Sequence, residues 1–136
     1  MRNLFLFLFS FLCLSVFAQT QGAVKTTPLP AKSYKVLHDS TTSMDIVMMQ
    51  GKGGSISLEG KNVRLFNSYF FNTPAVKNNS AQAGMIMWQI NGREYASGNY
   101  FLGDSTGYVI INKDGKEYGL TISKEGNSFF KSQIKQ

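Results

Sequence analysis

His38, Asp39 and Ser40 stand side by side and supply the three residue types of a nucleophilic triad. Such a triad needs its members to converge from separate elements. Adjacent residues on an extended strand point to alternating faces instead, so the run is read as a solvated segment without a catalytic role. His38 is also the single histidine, which excludes a multi-histidine metal site within one chain. Asp39 and Asp45 show no recognisable ligand spacing, so no metal site is expected. Gly51-Lys-Gly-Gly54 has the composition of a phosphate-cradling loop but lacks the Walker spacing. A hairpin turn is the better reading, and no cofactor is expected.

Two further groups could do chemistry. Glu94, Asp104 and Glu117 could supply a carboxylate pair for glycoside hydrolysis, which needs about 5–10 Å between the two groups. Each lies beside a turn or a lysine, and solvent-facing ion pairing accounts for them more simply. The aromatic set Trp88, Tyr95, Tyr100, Phe101, Tyr108 and Tyr118 could form a platform for a sugar or a partner protein, or could fill a small β-core. The candidate binding residues are Trp88, Tyr95 and Tyr100, with Asn78 and Asn79 from the aperiodic stretch Asn72 to Ala83, which also carries Pro74. No catalytic residue is assigned.

The elements that must position these residues begin after a leader. Arg2, the apolar run Leu4 to Phe17 and the small-residue site at Ser15-Val-Phe-Ala18 have the organisation of a secretory signal peptide over residues 1–18. The run is too short for a transmembrane span, which needs about 20 residues. Cys13, the one cysteine, lies inside the run, so the mature chain has no disulfide and no thiol chemistry. The ending Phe17-Ala18-Gln19 resembles the signal peptides of Bacteroidota, which implies a periplasmic or extracellular protein. Residues 19–33 contain two of the three prolines and few core-forming side chains, so they read as a flexible leader.

Residues 34–136 read as a single β domain. The apolar residues recur with a period near 2 and are interrupted by Gly or Asn clusters, the pattern of a small antiparallel β-sandwich or barrel of about 8–9 strands. Strands are predicted at Tyr34 to Leu37, Met44 to Met49, Ser55 to Leu58 and Val63 to Phe71. Asn91-Gly92 is a two-residue loop of the primed type, pairing Ile90 with Arg93, Gln89 with Glu94, Trp88 with Tyr95 and Ile86 with Ser97. At the next turn a two-residue Asp114-Gly115 loop would set Lys113 against Lys116 and Ile110 against Gly119. A three-residue loop with a bulge at Gly115 avoids both and pairs Ile110 with Tyr118. Lys124 to Asn127 then turns into a last strand, Ser128 to Ile134, with Phe129 facing Ile122, so the chain ends in a hairpin meander.

Loss of Arg2 with the signal peptide leaves 13 of the 14 basic residues against 8 acidic ones. The lysines are scattered and no basic stripe interleaves with aromatics, which argues against nucleic-acid binding. Asn67-Ser-Tyr-Phe-Phe71, Gly84-Met-Ile with Asn91-Gly-Arg93, and Tyr108 to Tyr118 around Lys113-Asp-Gly115 together resemble the first half of phosphodiester glycosidase-like domains. Ser68 and Tyr69 replace glycines of that pattern, and the later half of the family has no counterpart here, so the resemblance implies no catalytic residue. The leading expectation is a secreted or periplasmic, non-enzymatic binding module for a protein or glycan of the cell envelope, including the inhibitor or immunity type. The alternatives are a small carbohydrate-active enzyme or remnant of that family, and a structural envelope component that accepts a strand at Ser128 to Ile134.

Overall fold

A computed structural model describes residues 24–135. The signal peptide and residues 19–23 of the leader lie outside the described residues. In chain order the elements are α1 (Ala31–Ser40), β1 (Ser43–Met48), β2 (Gly54–Glu59), α2 (Lys61–Asn67), β3 (Phe70–Phe71), β4 (Gln82–Ile90), β5 (Arg93–Leu102), β6 (Gly107–Lys113), β7 (Lys116–Ile122) and α3 (Lys124–Ile134). The strands form one antiparallel sheet in the order β2-β1-β4-β5-β6-β7-β3, curled into a half-barrel. The described residues are thus mostly β, with seven strands rather than eight or nine and three short helices that the expected all-β fold lacked.

The inner face of the sheet carries the core. Met44, Ile46, Ile86, Trp88, Ala96, Tyr100, Val109, Ile111, Leu120 and Ile122 meet Leu37 of α1, Val63 and Phe66 of α2, and Phe130 of α3. Alternate residues along each strand face one side of a sheet, which is why Met44 and Ile46 of β1 and Gly84, Ile86 and Trp88 of β4 are buried.

Three of the predicted strand segments are helical instead. Around Tyr34 to Leu37 the chain leaves Pro30, whose ring fixes φ for helix entry, and buries only Leu37 of α1 completely. In Val63 to Phe71 the buried residues are Val63, Phe66, Asn67 and Phe70. Their spacing of 0, 3, 4 and 7 is helical, while Leu65, predicted to share a face with Val63, is 59% exposed. Only Phe70 and Phe71 at the end of that segment are strand. At the C-terminus Ser123 accepts a bond from the backbone N–H of Gly126 and caps α3. Phe129 packs against Phe66 and Tyr69 in that helix, with ring centroids 4.9 and 6.3 Å away. The meander therefore ends at β7, and Ser128 to Ile134 offers no strand edge.

Both hairpins differ from the predicted registers by one step. Ile90 pairs with Arg93 and Gln89 with Glu94 around Asn91-Gly92, as the turn dictates. A bulge then makes Tyr95 an extra residue, so that Trp88 faces Ala96 and Ile86 faces Gly98. The small Ala96 leaves room for the indole on the inner face. At the second hairpin the loop is the two-residue Asp114-Gly115, both with positive φ, and Lys113 does oppose Lys116 while Ile110 opposes Gly119. The like-charge contact is relieved because the Lys113 ammonium swings over the Tyr95 ring, 4.4 Å from its centroid. Gly119 is needed opposite Ile110, since a Cβ there would come within 2.3 Å of the Thr26 side chain.

Thr26 belongs to the stretch expected to be flexible, yet residues 24–30 are tied down. Thr26 N–H donates to Ala75 C=O and Gly119 N–H to Thr27 C=O, both at 2.8 Å. The Asn72 side chain mimics a backbone, accepting from Leu29 N–H at 2.8 Å and donating to Leu29 C=O at 2.9 Å. This strap and the loop after β3 cover the outer face of β6 and β7, where Ala75, Tyr108 and Ile110 form a second apolar cluster with Phe101.

Candidate functional site

The loop after β3 builds a cleft on the outer face. Pro74, Ala75, Val76 and Asn78 from the loop face Thr106, Gly107 and Tyr108 at the start of β6, and Thr121 of β7, around about 230 Å³. Ligand pockets for larger molecules usually span ~300–1,000 Å³, so this cleft suits a single sugar ring or one side chain. Its loop wall is held by several bonds. Lys77 N–H donates to Val24 C=O at 2.9 Å, the Lys77 ammonium pairs with Glu117, and the Tyr108 hydroxyl donates to Asn78 C=O at 3.3 Å.

The polar groups of the cleft are uncharged. Thr121 Oγ1 is engaged with Thr73, donating to its C=O at 3.1 Å and accepting from its hydroxyl at 2.9 Å. Asn78 Oδ1 accepts from Ser80 N–H at 3.0 Å, an Asx turn. Asn78 Nδ2 and the Thr106 hydroxyl have no hydrogen-bond partner among the described residues and can serve a ligand. A donor amide and a donor/acceptor hydroxyl beside apolar Pro74 and Val76 match the mixed surface of a neutral polar ligand. Among the described residues that line it, none is acidic, basic or a histidine.

A second cleft of about 310 Å³ lies between α3 and the β1–β2 turn, lined by Gln50, Leu102, Lys131, Ile134 and Lys135. The Lys131 ammonium is spent on Asp104 C=O at 3.1 Å.

Of the five candidate binding residues, Asn78 lines a cleft, with exposed Asn79 its neighbour in the same loop, and Tyr108 of the wider aromatic set and Pro74 line it too. Trp88 and Tyr100 have no exposed surface and are core residues here. The Trp88 indole N–H donates to Asn67 Oδ1 at 3.1 Å. The Tyr100 hydroxyl is buried without a partner among the described residues, and burial pushes its pKa up to about 12. Tyr95 is half-buried, its hydroxyl donating to Ser33 C=O at 3.3 Å and its ring face taken by Lys113. The aromatic platform is thus dispersed into packing. Sequence reasoning missed Thr106 and Thr121, which become neighbours of Asn78 only when the loop folds back over β6 and β7.

Asn67, the first residue of the Asn67-Ser-Tyr-Phe-Phe71 piece, is fully buried with its amide engaged by Trp88, Leu37 and His38. Glu94 bonds the Ser97 hydroxyl at 2.7 Å, Glu117 pairs with Lys77, and exposed Asp104 lies beyond the far end of β5 from Glu94. None of the three carboxylates lines either cleft. On α1, His38 Nδ1 lies 2.9 Å from Asp39, whose other oxygen accepts from Lys35 at 2.6 Å. The Lys35 bond, then the His38 bond, lowers the Asp39 pKa; Ser40 takes no part in this exposed cluster. Among the described residues no group of three or more His, Cys, Asp or Glu is placed to hold a metal, and no helix is long and apolar enough to cross a membrane.

No family model matches the chain, and no curated protein or solved structure matches it.

Proposed function

We propose that this chain is a secreted or periplasmic, non-enzymatic binding module that takes a neutral glycan of the cell envelope into the cleft between the Asn72–Ala81 loop and β6. The observation that carries this reading is the unspent pair of uncharged groups, Asn78 Nδ2 and the Thr106 hydroxyl, beside Pro74 and Val76 in a cleft the size of one sugar ring. A glycan ring offers hydroxyls to the first two and a C–H face to the others. The absence of charge from the lining favours a neutral ligand over a phosphate or carboxylate.

The test is an NMR titration of the isotopically labelled secreted chain with soluble peptidoglycan fragments and with neutral oligosaccharides of the outer envelope. Saturable shifts centred on Asn78, Thr106 and Tyr108, lost in Asn78→Ala and Thr106→Val, are the expected result. Shifts that spread elsewhere or never saturate would sink the reading.

A protein partner, of the inhibitor or immunity type, is the second reading, and a different surface favours it. On the open outer face of β1 and β4, Val47, Met49 and Met85 are 40, 62 and 37% exposed, with Met87 beside them. Exposed methionines adapt to varied apolar surfaces. Retention of an envelope protein by the wild-type chain, lost on Met85→Glu, would favour this reading over the glycan.

A further inference from the structure

The two edges of the sheet are finished differently. At one end β3 is only two residues long, and the Tyr34 hydroxyl donates to its Phe70 C=O at 2.8 Å. That edge is therefore short and capped. At the other end β2 runs six residues with one flank on β1 and, among the described residues, no strand on its far side. Natural edge strands are usually blunted by lysine, proline or a bulge. Gly54-Ser-Ile-Ser-Leu-Glu59 contains no lysine and no proline, and its six pairs with β1 run without a register shift.

The backbone groups left over can be named. Met49 N–H donates to Ala83 C=O and Gly60 N–H to Thr42 C=O. In an antiparallel ladder bonded and non-bonded pairs alternate, so the odd residues of β1 bond β4 and the even ones bond β2. Met44, Ile46 and Met48 face Leu58, Ile56 and Gly54, which are therefore the β2 residues bonded to β1. The N–H and C=O of Ser55, Ser57 and Glu59 point away from the sheet.

We propose that this edge pairs with the same edge of a second copy, antiparallel, about a two-fold axis through Ser57. In that register Ser57 opposes its own copy and Ser55 opposes Glu59, so all three outward-facing residues form bonded pairs with about six inter-chain hydrogen bonds. Ile56 then stands opposite Leu58 on the inner face, where both are half-buried against the core. Cross-strand apolar pairs of this kind are favourable. No like charges oppose each other, because Glu59 is the only charged residue of β2 and it faces a serine. A foreign strand would need its own match to this pattern, whereas a second copy carries it. The resulting sheet is continuous across both chains and leaves the cleft at Asn78 untouched on the far strands.

The interface is small, so the dimer belongs to the weak class. Sedimentation equilibrium of the secreted chain from about 1 μM to about 1 mM should show a reversible monomer–dimer equilibrium. Ser57→Pro removes an N–H that the monomer's own sheet does not use. It should therefore keep the circular dichroism spectrum and abolish the dimer. Ser57→Lys, at an exposed position, sets like charges on the axis and should weaken association at least about tenfold at low salt, with partial recovery at high salt. A wild-type chain that stays monomeric over the whole range overturns the proposal. So does a dimer whose affinity neither substitution changes.

Discussion

The Trp88 indole donates to Asn67 Oδ1 at 3.1 Å, and Asn67 Nδ2 donates onward to the carbonyls of Leu37 and His38 at 3.2 and 3.1 Å. One buried amide thus ties the centre of β4 to the last turns of α2 and α1. The orphan carbonyls at a helix end need partners, and a buried indole N–H left unpaired costs about 1–3 kcal/mol.

Asn67→Leu keeps the volume but strips all three bonds, and it should destabilise the fold by about 2–4 kcal/mol. Urea unfolding followed by the fluorescence of Trp88, the single tryptophan, measures it directly. Arg64→Ala, on the exposed side of the same helix, should stay within about 0.5 kcal/mol. A similar small loss at Asn67 would mean that the amide does not hold the helices.

Tyr100 presents the opposite case, a buried hydroxyl without a partner among the described residues. Tyr100→Phe removes the oxygen and keeps the ring packed 4.8 Å from Phe130. It should raise stability by about 1 kcal/mol. Burial raises the folded-state pKa to about 12, so this tyrosine's contribution is fully present below the ordinary phenol value and is lost as pH climbs from there to about 12. The alkaline ultraviolet titration of the wild type should show a late-ionising tyrosine that the Phe variant lacks.

The strap over the outer face depends on the missing side chain at position 119. Gly119→Ala would drive a methyl into Thr26 at 2.3 Å, displacing the strap at a cost of about 1–3 kcal/mol. Hydrogen exchange should report this as lost protection at the amides of Thr26 and Gly119, which donate to Ala75 and Thr27. Thr26→Val keeps the shape but forfeits the bond from Ala75 N–H to its hydroxyl, and should loosen the same segment more mildly.

On α1, the Lys35 bond and then the His38 bond lower the pKa of Asp39. A depressed carboxylate stabilises the fold above its ordinary pKa, and that contribution disappears as pH falls through the lowered value. The group is exposed, so the effect is small and salt-sensitive. Thermal unfolding of Asp39→Asn should fall slightly below wild type near neutral pH and converge with it once the pH has fallen through the lowered Asp39 value.

Local chemistry in the chain was enough to determine the strands from Met44 to Leu58, the positions of both hairpin turns and the predominance of β-structure, because turn residues and period-2 patterning act over a few residues. Asn91-Gly92 and Asp114-Gly115 dictate where the chain reverses whatever surrounds them. The helical spacing of Val63, Phe66, Asn67 and Phe70 and the Ser123 cap were also legible, but Phe70 and Phe71 at the end of the first segment read equally as strand. Other outcomes were decided only in three dimensions. The bulge at Tyr95 sets the small Ala96 opposite the buried Trp88 indole, and the tight Asp114-Gly115 loop is tolerated because Lys113 finds the Tyr95 ring. Residues 24–30 carry too little apolar surface to order themselves, so they are held by distant residues, among them Asn72, Ala75, Lys77 and Gly119. The cleft follows from that, since Asn78, Thr106 and Thr121 meet by a folded-back loop that no local pattern encodes.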